Sequence, residues 1–134
     1  MRDHPGLDVN WANGDRWTAL HCAAWEGHVN VVKVLLAHAH INVNVRDTND
    51  ATPFLLGCDN GVAVVRVLLK DLRVDVTQAD QAGCTPLWWA SYYGNYEVIE
   101  CLVAGGRDLG DVKNKKGKDQ NTDYTALEIV REKV

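Results

Sequence analysis

The tetrapeptide Thr18-Ala19-Leu20-His21 decides the fold, because the chain contains three further versions of it. These versions are Thr52-Pro53-Phe54-Leu55, Thr85-Pro86-Leu87-Trp88 and Thr125-Ala126-Leu127-Glu128. Successive copies lie 34, 33 and 40 residues apart. A period of this size is typical of proteins built from stacked repeats, which present extended surfaces and rarely enclose reaction sites.

Each unit predicts a pair of short helices. Thr18 precedes an apolar-periodic stretch, and its hydroxyl can cap the free amides of a first helix. Pro53 and Pro86 suit the first helical position in the next two units, and Gly27 tolerates the left-handed backbone that ends a helix. Residues spaced to share one face predict the second helices: Val29, Val32, Leu35 and Leu36; Val64, Val65, Leu68 and Leu69; and Val98, Ile99, Leu102 and Val103.

This helix pair, followed by a polar turn, resembles the ankyrin repeat. The first unit carries the resemblance in its Thr-Pro-Leu-His-like tetrapeptide and in Ala23-Ala24, Gly27-His28, Val31-Val32, Leu35-Leu36 and Val43-Asn44. The third unit keeps Asp80, Gly83, Thr85, Pro86, Leu87, Ala90, Gly94, Val98 and Leu102 in register. The resemblance covers residues 7–134 and implies an all-α fold, an α-solenoid of stacked helix-turn-helix repeats joined by β-turn or hairpin loops.

One stretch allows a different interpretation. Residues 62–69 are rich in β-branched side chains and could form a buried strand, which would favour a parallel α/β sheet. Their register with Val31–Leu36 favours a helix instead, and the α-solenoid is the stronger prediction.

We expect a single domain over residues 1–134. Its parts are a partial N-terminal repeat (1–12), repeats at 13–46, 47–79 and 80–112, a Lys-rich insertion loop (113–124) and a partial C-terminal repeat (125–134). Incomplete end units leave apolar faces without a polar cap, and such stacks tend to associate or fray. Either the chain is a fragment of a longer array, which we favour, or its ends meet a partner, including weak self-association.

The hairpin turns depart from the family pattern. The family places Gly two residues before the Thr, as at Gly83, whereas Arg16, Asp50 and Asp123 occupy this position in the other units. A left-handed backbone is tolerated better by Asp than by Arg. The first helix of the second unit also contains Gly57, which costs about 0.5–1 kcal/mol relative to Ala.

Composition excludes several classes of function. Fourteen basic and eighteen acidic side chains give a net charge of −4, which argues against a nucleic-acid partner. The chain has no apolar run of membrane-spanning length and no signal-peptide pattern in its first residues. We therefore expect a cytoplasmic protein with no membrane partner. Its cysteines form no CxxC pair and are expected to be free thiols: Cys22, Cys58, Cys84 and Cys101.

The sequence contains no recognisable catalytic, cofactor-binding or metal-binding constellation, so we expect no enzyme activity and no cofactor. His38 and His40 flank Ala39, but this pattern is weak support for a metal site. The resemblance implies structural roles for His21, which would tie adjacent units together, and for His28, which would stabilise a loop.

The resemblance places a binding surface at the hairpin tips and at the exposed ends of the first helices. Ten candidate partner-binding residues occupy these positions: Asp15, Trp17, Trp25, Glu26, Asn49, Asp59, Asn60, Tyr92, Tyr93 and Tyr124. Aromatic residues with acidic neighbours suit a protein or peptide partner that carries basic and apolar side chains. We expect Trp88 and Trp89 to pack between units and Trp11 to cover the open N-terminal end.

The resulting prediction is a protein–protein interaction module that uses the concave ankyrin-like face. The alternatives are a structural or self-associating repeat segment, or the targeting domain of a larger enzyme or channel. The resemblance also allows a role as a modification substrate, because Asn10 and Asn44 match an asparagine that can be hydroxylated in such repeats.

Overall fold

The computed structural model describes residues 8–60 and 62–109, with the Asn60 side chain left out of the description. Over these residues the protein is all-α, as predicted, with no strand. Its helices are α1 (Ala19–Glu26), α2 (Val29–Leu36), α3 (Pro53–Asn60), α4 (Val62–Leu69), α5 (Pro86–Tyr92) and α6 (Tyr96–Ala104). Because α4 is helical, the strand interpretation of residues 62–69 is wrong. The insertion at 113–124 and the partial repeat at 125–134 lie outside the described residues.

Local side-chain chemistry fixes where the first helices begin and end. The amide of His21 donates to the Thr18 hydroxyl at 3.4 Å, and that of Trp88 donates to the Thr85 hydroxyl at 3.1 Å. Pro86 occupies the first turn of α5. Gly27 ends α1 with a φ of 75°, in the left-handed region that glycine adopts without strain.

The helices form two layers that share one core. α1, α3 and α5 lie side by side in the first layer, and α2, α4 and α6 lie side by side in the second. Apolar side chains from both layers are buried together, among them Leu20, Val32, Phe54, Val64, Leu68, Ala90 and Leu102. The middle pair, α3 and α4, packs against both neighbouring pairs, so the core runs continuously through the stack.

The turns between helix pairs share one hydrogen-bonding pattern. One carboxylate oxygen of Asp47 accepts from the amides of Asn49 and Ala51 at 2.8 and 2.9 Å. Asp80 repeats this pattern with Ala82 and Cys84, both at 3.0 Å. In each of these turns, the aspartate side chain at the start of the turn therefore fixes the backbone of the turn tip.

The expected left-handed turn position is confirmed in all three described turns. The φ angles are 61° at Arg16, 60° at Asp50 and 85° at Gly83. Only the third turn has glycine at this position, so Arg16 and Asp50 carry backbone strain.

Hydrogen bonds between units support the apolar core. The Nδ1 atom of His21 accepts from the Thr18 amide at 3.1 Å, so its Nε2 atom donates to the carbonyl of Ala51 in the next unit at 2.9 Å. Burial lowers the pKa of His21, which favours this neutral form. The expected tie between units is confirmed.

Asn10 and Asn44 connect the loops of successive units. The Asn10 side chain donates to the carbonyl of His40 at 2.8 Å and accepts from the amide of Asn42 at 2.7 Å. Asn44 makes the same pair of bonds to Arg73 and Asp75. These contacts give both asparagines a structural role, and their hydroxylation remains a hypothesis.

Candidate functional site

A groove crosses the first helical layer beside the turn tips. It has a volume of about 500 Å³ and is lined by residues from all three helix pairs and their turns. These residues are Asp15, Trp17, Trp25, Asp47, Thr48, Asn49, Ala51, Leu55, Leu56, Asp59, Asp80, Trp89 and Tyr93. We call this surface the inner groove.

Aromatic pairs form the two ends of the inner groove. Trp17 and Trp25 meet edge to face, with ring centroids 6.2 Å apart. Trp89 and Tyr93 stack at the other end, with centroids 5.4 Å apart and an interplanar angle of 15°. Trp25 remains 40% exposed and Tyr93 52% exposed, so both rings offer apolar surface to a ligand.

Two of the groove carboxylates hold the tryptophan rings in place. The indole N–H of Trp17 donates to Asp47 at 2.8 Å, and that of Trp89 donates to Asp80 at 2.9 Å. In each case the other carboxylate oxygen is already bonded to the turn amides. The turns thereby fix the orientation of the rings, which reduces the entropy that a ligand would have to remove on binding.

The carboxylates of Asp15 and Asp59 are not used in this way. Neither accepts a hydrogen bond from any residue in the described ranges 8–60 and 62–109. Burial raises the pKa of Asp59, and burial followed by the nearby Asp59 charge raises the pKa of Tyr93. None of the groove-lining residues given above is Lys or Arg, so the groove is acidic as well as aromatic.

The structure brings together six of the ten sequence-predicted site residues. Those that line the inner groove are Asp15, Trp17, Trp25, Asn49, Asp59 and Tyr93. Glu26 instead pairs with His28 at 2.9 Å on the surface, and Tyr92 stacks on Trp88 with centroids 5.0 Å apart. The side chain of Asn60 and all of Tyr124 lie outside the described residues.

Sequence reasoning missed Trp89, Asp47 and Asp80. Trp88 is buried at 1% exposure, as expected, but Trp89 is only partly buried and lines the groove. Trp89 has the same position in its unit as Leu56 has in the preceding unit. Because Leu56 also lines the groove, aligning the repeats could have predicted that Trp89 lines it. The two aspartates recur five residues before their Thr, which is a further signal.

Trp11 does not cover the N-terminal end of the core. Its side chain is 67% exposed and does not line the inner groove. The expectation of a covering role is therefore wrong. Trp11 directly follows the turn at Val9 and Asn10, and it is not among the partly buried residues that pack against the two described apolar clusters.

Nucleophilic and metal-binding groups are sparse in the part of the chain that the structure describes. His38 and His40 have ring centroids 6.0 Å apart, and no group of three His, Cys, Asp or Glu residues there could hold a metal ion. Burial raises the pKa of Cys58 well above its usual range, so this thiol stays protonated. Across the same residues, every helix is too short to cross a bilayer.

Known families confirm the repeat. The family described as Ankyrin repeat matches residues 15–48, and the family described as Ankyrin repeats (3 copies) matches residues 39–116. Together these matches cover the three helix pairs and the groove.

Similar curated proteins are much longer than this chain. Inversin of Mus musculus is 37% identical over 114 residues, which make up 82% of this chain and 11% of Inversin. Transient receptor potential cation channel subfamily A member 1 of Homo sapiens is 29% identical over 106 residues, or 78% of this chain and 9% of the channel protein. Ankyrin repeat domain-containing protein 63 of Homo sapiens is 36% identical over 98 residues, or 71% and 24%. The chain belongs to the ankyrin repeat family.

Proposed function

We propose that this chain is a protein-interaction module that holds a segment of a partner protein in the inner groove. Ankyrin repeats bind other proteins. The observation that carries the proposal is the set of aromatic rings fixed by turn carboxylates, with Trp25 and Tyr93 left partly exposed. Rigid aromatic side chains with free surface are the residues that contribute most to protein interfaces.

The volume of the inner groove limits the size of what it holds. About 500 Å³ lies within the range of roughly 300–1,000 Å³ that is usual for ligand pockets. A few side chains of an extended peptide fill such a space, whereas a flat domain surface would leave it empty. We therefore infer that the partner contributes a peptide segment.

The chemistry of the groove favours a partner segment with basic and apolar side chains. Leu55, Leu56 and the aromatic rings provide apolar contact. Asp15 and Asp59 provide negative charge without a described internal partner, and cations bind well over aromatic faces. Charge complementarity of this kind raises association rates and excludes acidic segments.

Peptide selection tests the proposal without a known partner. Phage-displayed random-sequence peptides are selected on the folded chain, and the affinities of the enriched peptides are measured by isothermal titration calorimetry. Trp25→Ala is expected to weaken binding by about thirtyfold, the effect of losing an interface hot spot. Trp11→Ala is the matched control, because it removes an exposed tryptophan outside the groove and should leave affinity unchanged.

Circular dichroism must show the same helix content in both variants. Peptides that bind the Trp25 variant as tightly as the unaltered chain would contradict the assignment of the groove. A failure to enrich any peptide would contradict the proposed function itself.

A second candidate is a targeting domain within a larger protein. The chain spans about a tenth of Inversin and of the channel protein that it matches. In such a protein these repeats would supply binding while other regions supply the remaining activity. On this proposal the chain itself has no enzyme activity and requires no cofactor.

A structural, self-associating segment is a third candidate, and sedimentation at rising concentration tests it. A strict monomer would argue against that role. A cytoplasmic location remains a proposal, supported by free thiols at Cys22, Cys58, Cys84 and Cys101.

A further inference from the structure

The four carboxylates that line the inner groove differ in how much of their bonding capacity is used. Asp47 and Asp80 each accept two turn amides on one oxygen and an indole N–H on the other. They therefore support the groove wall and have little capacity left for a ligand. Asp15 and Asp59 keep their carboxylate oxygens available, as far as the described residues extend.

Asp59 differs from Asp15 in its surroundings. Asp15 lies on a turn tip and is exposed, so water and salt screen its charge. Asp59 is partly buried near the end of α3, the central helix of the first layer. Because α3 packs between α1 and α5, Asp59 lies between the helix that carries Trp25 and the helix that Tyr93 follows.

Burial makes an ionised carboxylate costly unless a donor meets it. Burial raises the pKa of Asp59, which is the expected effect of lost hydration. A cationic donor from a partner would restore the lost hydrogen bonds, and it would do so beside aromatic rings whose faces attract cations. The desolvation of Asp59 in the free protein therefore favours binding of a cationic side chain that restores these hydrogen bonds.

The shape of the site distinguishes the two basic side chains. A guanidinium is planar, donates two parallel hydrogen bonds to a carboxylate and stacks on an aromatic face at the same time. An ammonium is compact, strongly hydrated and makes no such stacked contact. A carboxylate that lines the same groove as two exposed aromatic rings therefore matches arginine better than lysine.

We propose that Asp59 is the specificity residue of the inner groove and that it anchors an arginine side chain of the partner segment, with Trp25 and Tyr93 on either side. This inference rests on the proposed function and adds to it the residue that selects the partner and the side chain that is selected.

The test compares peptide selection on three proteins: the unaltered chain, Asp59→Asn and Asp15→Asn. Both variants remove one negative charge from the same groove and keep the size of the side chain, so Asp15→Asn is the matched control. Arginine is expected to be enriched among peptides selected on the unaltered chain and on Asp15→Asn, and not among those selected on Asp59→Asn.

Affinities of one enriched peptide then measure the contact. Asp59→Asn is expected to weaken binding by about tenfold, in line with the loss of a charged hydrogen bond at a partly exposed site. Replacing the arginine of the peptide by citrulline, which is neutral and has nearly the same shape, should cost the same factor on the unaltered chain. It should cost clearly less on Asp59→Asn, because the contact with the carboxylate is already lost there and only the attraction of the charge to the aromatic rings remains.

Each negative outcome has a distinct meaning. Groove-dependent peptides that lack arginine, or that bind Asp59→Asn at full affinity, would overturn this inference and leave the proposed function standing. Equal affinity for a lysine-substituted peptide would overturn the choice of arginine. If every selected peptide binds Trp25→Ala as tightly as the unaltered chain, binding does not involve the inner groove, and the proposed function itself is contradicted.

Discussion

Arg16 shows at the residue scale how a repeat can keep its geometry with an unfavourable residue. Its φ of 61° places a long side chain in the left-handed region, which costs an ordinary residue about 1–2 kcal/mol. The turn tolerates this because Asn13 accepts amide hydrogen bonds from Asp15 and Trp17 at 2.9 and 3.0 Å. Hydrogen bonding of the turn therefore outweighs the preference of one residue.

Replacing Arg16 with glycine should stabilise the protein. The strain is removed, while the greater freedom of glycine in the unfolded chain offsets part of the gain. We expect a net increase of about 0.5–1 kcal/mol in the free energy of unfolding, measured by urea denaturation. Arg16→Ala removes the same charge but keeps a Cβ atom, so it should give no such gain. Equal stabilisation by both variants would show that charge, and not backbone strain, is responsible.

Asp59 should make opposite contributions to folding and to binding. Its pKa in the folded protein lies above the ordinary value of 3.8, so the folded state binds its proton more tightly than the unfolded state does. As the pH rises from the ordinary pKa of 3.8 to the higher pKa in the folded protein, ionisation of Asp59 therefore lowers the free energy of unfolding. Below this range Asp59 is protonated in both states and the loss is absent.

Asp59→Asn should accordingly raise the midpoint of thermal unfolding relative to the unaltered chain at pH 7 more than it does below about pH 4. Differential scanning calorimetry at both pH values measures this. An identical difference at the two pH values would contradict the account of a desolvated carboxylate.

At the scale of elements, Gly57 explains how closely α3 and α4 approach. A Cβ atom at this position would lie 3.1 Å from the Cγ1 atom of Val64. Glycine at this position lowers the stability of the helix, but the missing Cβ atom allows the two helices of the middle pair to lie in close contact.

Gly57→Ala should not give the gain of about 0.5–1 kcal/mol that helix propensity alone would supply, because Val64 must move to make room. In a Val64→Ala background the same substitution should become stabilising, since the space is then free. Chemical denaturation of the four proteins in this cycle measures the coupling. A full propensity gain in the unaltered background would show that the helices are not in close contact.

The elements could be predicted from sequence because their signals are local. Thr18, Thr85 and Gly27 mark helix ends through bonds within a few residues, and the apolar spacing identified the second helices. The groove was harder to predict, because it depends on neighbouring units. Trp17 bonds to Asp47 across 30 residues, and this distance is set by the stacking of helix pairs.

At the scale of the whole molecule, the net charge of −4 does not show that two surface depressions carry charge of opposite sign. The inner groove contains four aspartates and, among its lining residues, no basic side chain. A second, shallower depression between α2 and α4 is lined by Lys33, Arg66, Lys70 and Arg73, with Asp71 the one acidic lining residue. The Asp71 carboxylate is already paired with Arg73 at 2.6 Å.

This separation of charge should orient an approaching partner. A basic segment is attracted to the inner groove and repelled from the depression between α2 and α4, so the groove is the more favourable of the two places to approach. Composition alone gave the overall sign but not this distribution, which depends on which helix face each residue occupies.

Backbone amide NMR shift mapping shows directly whether a selected arginine-containing peptide binds in the inner groove. We expect shift changes at groove residues such as Ala51, Asp59 and Tyr93, and none at Lys33, Val67 or Leu72 around the depression between α2 and α4. Changes concentrated between α2 and α4, with the groove residues unaltered, would contradict binding in the inner groove.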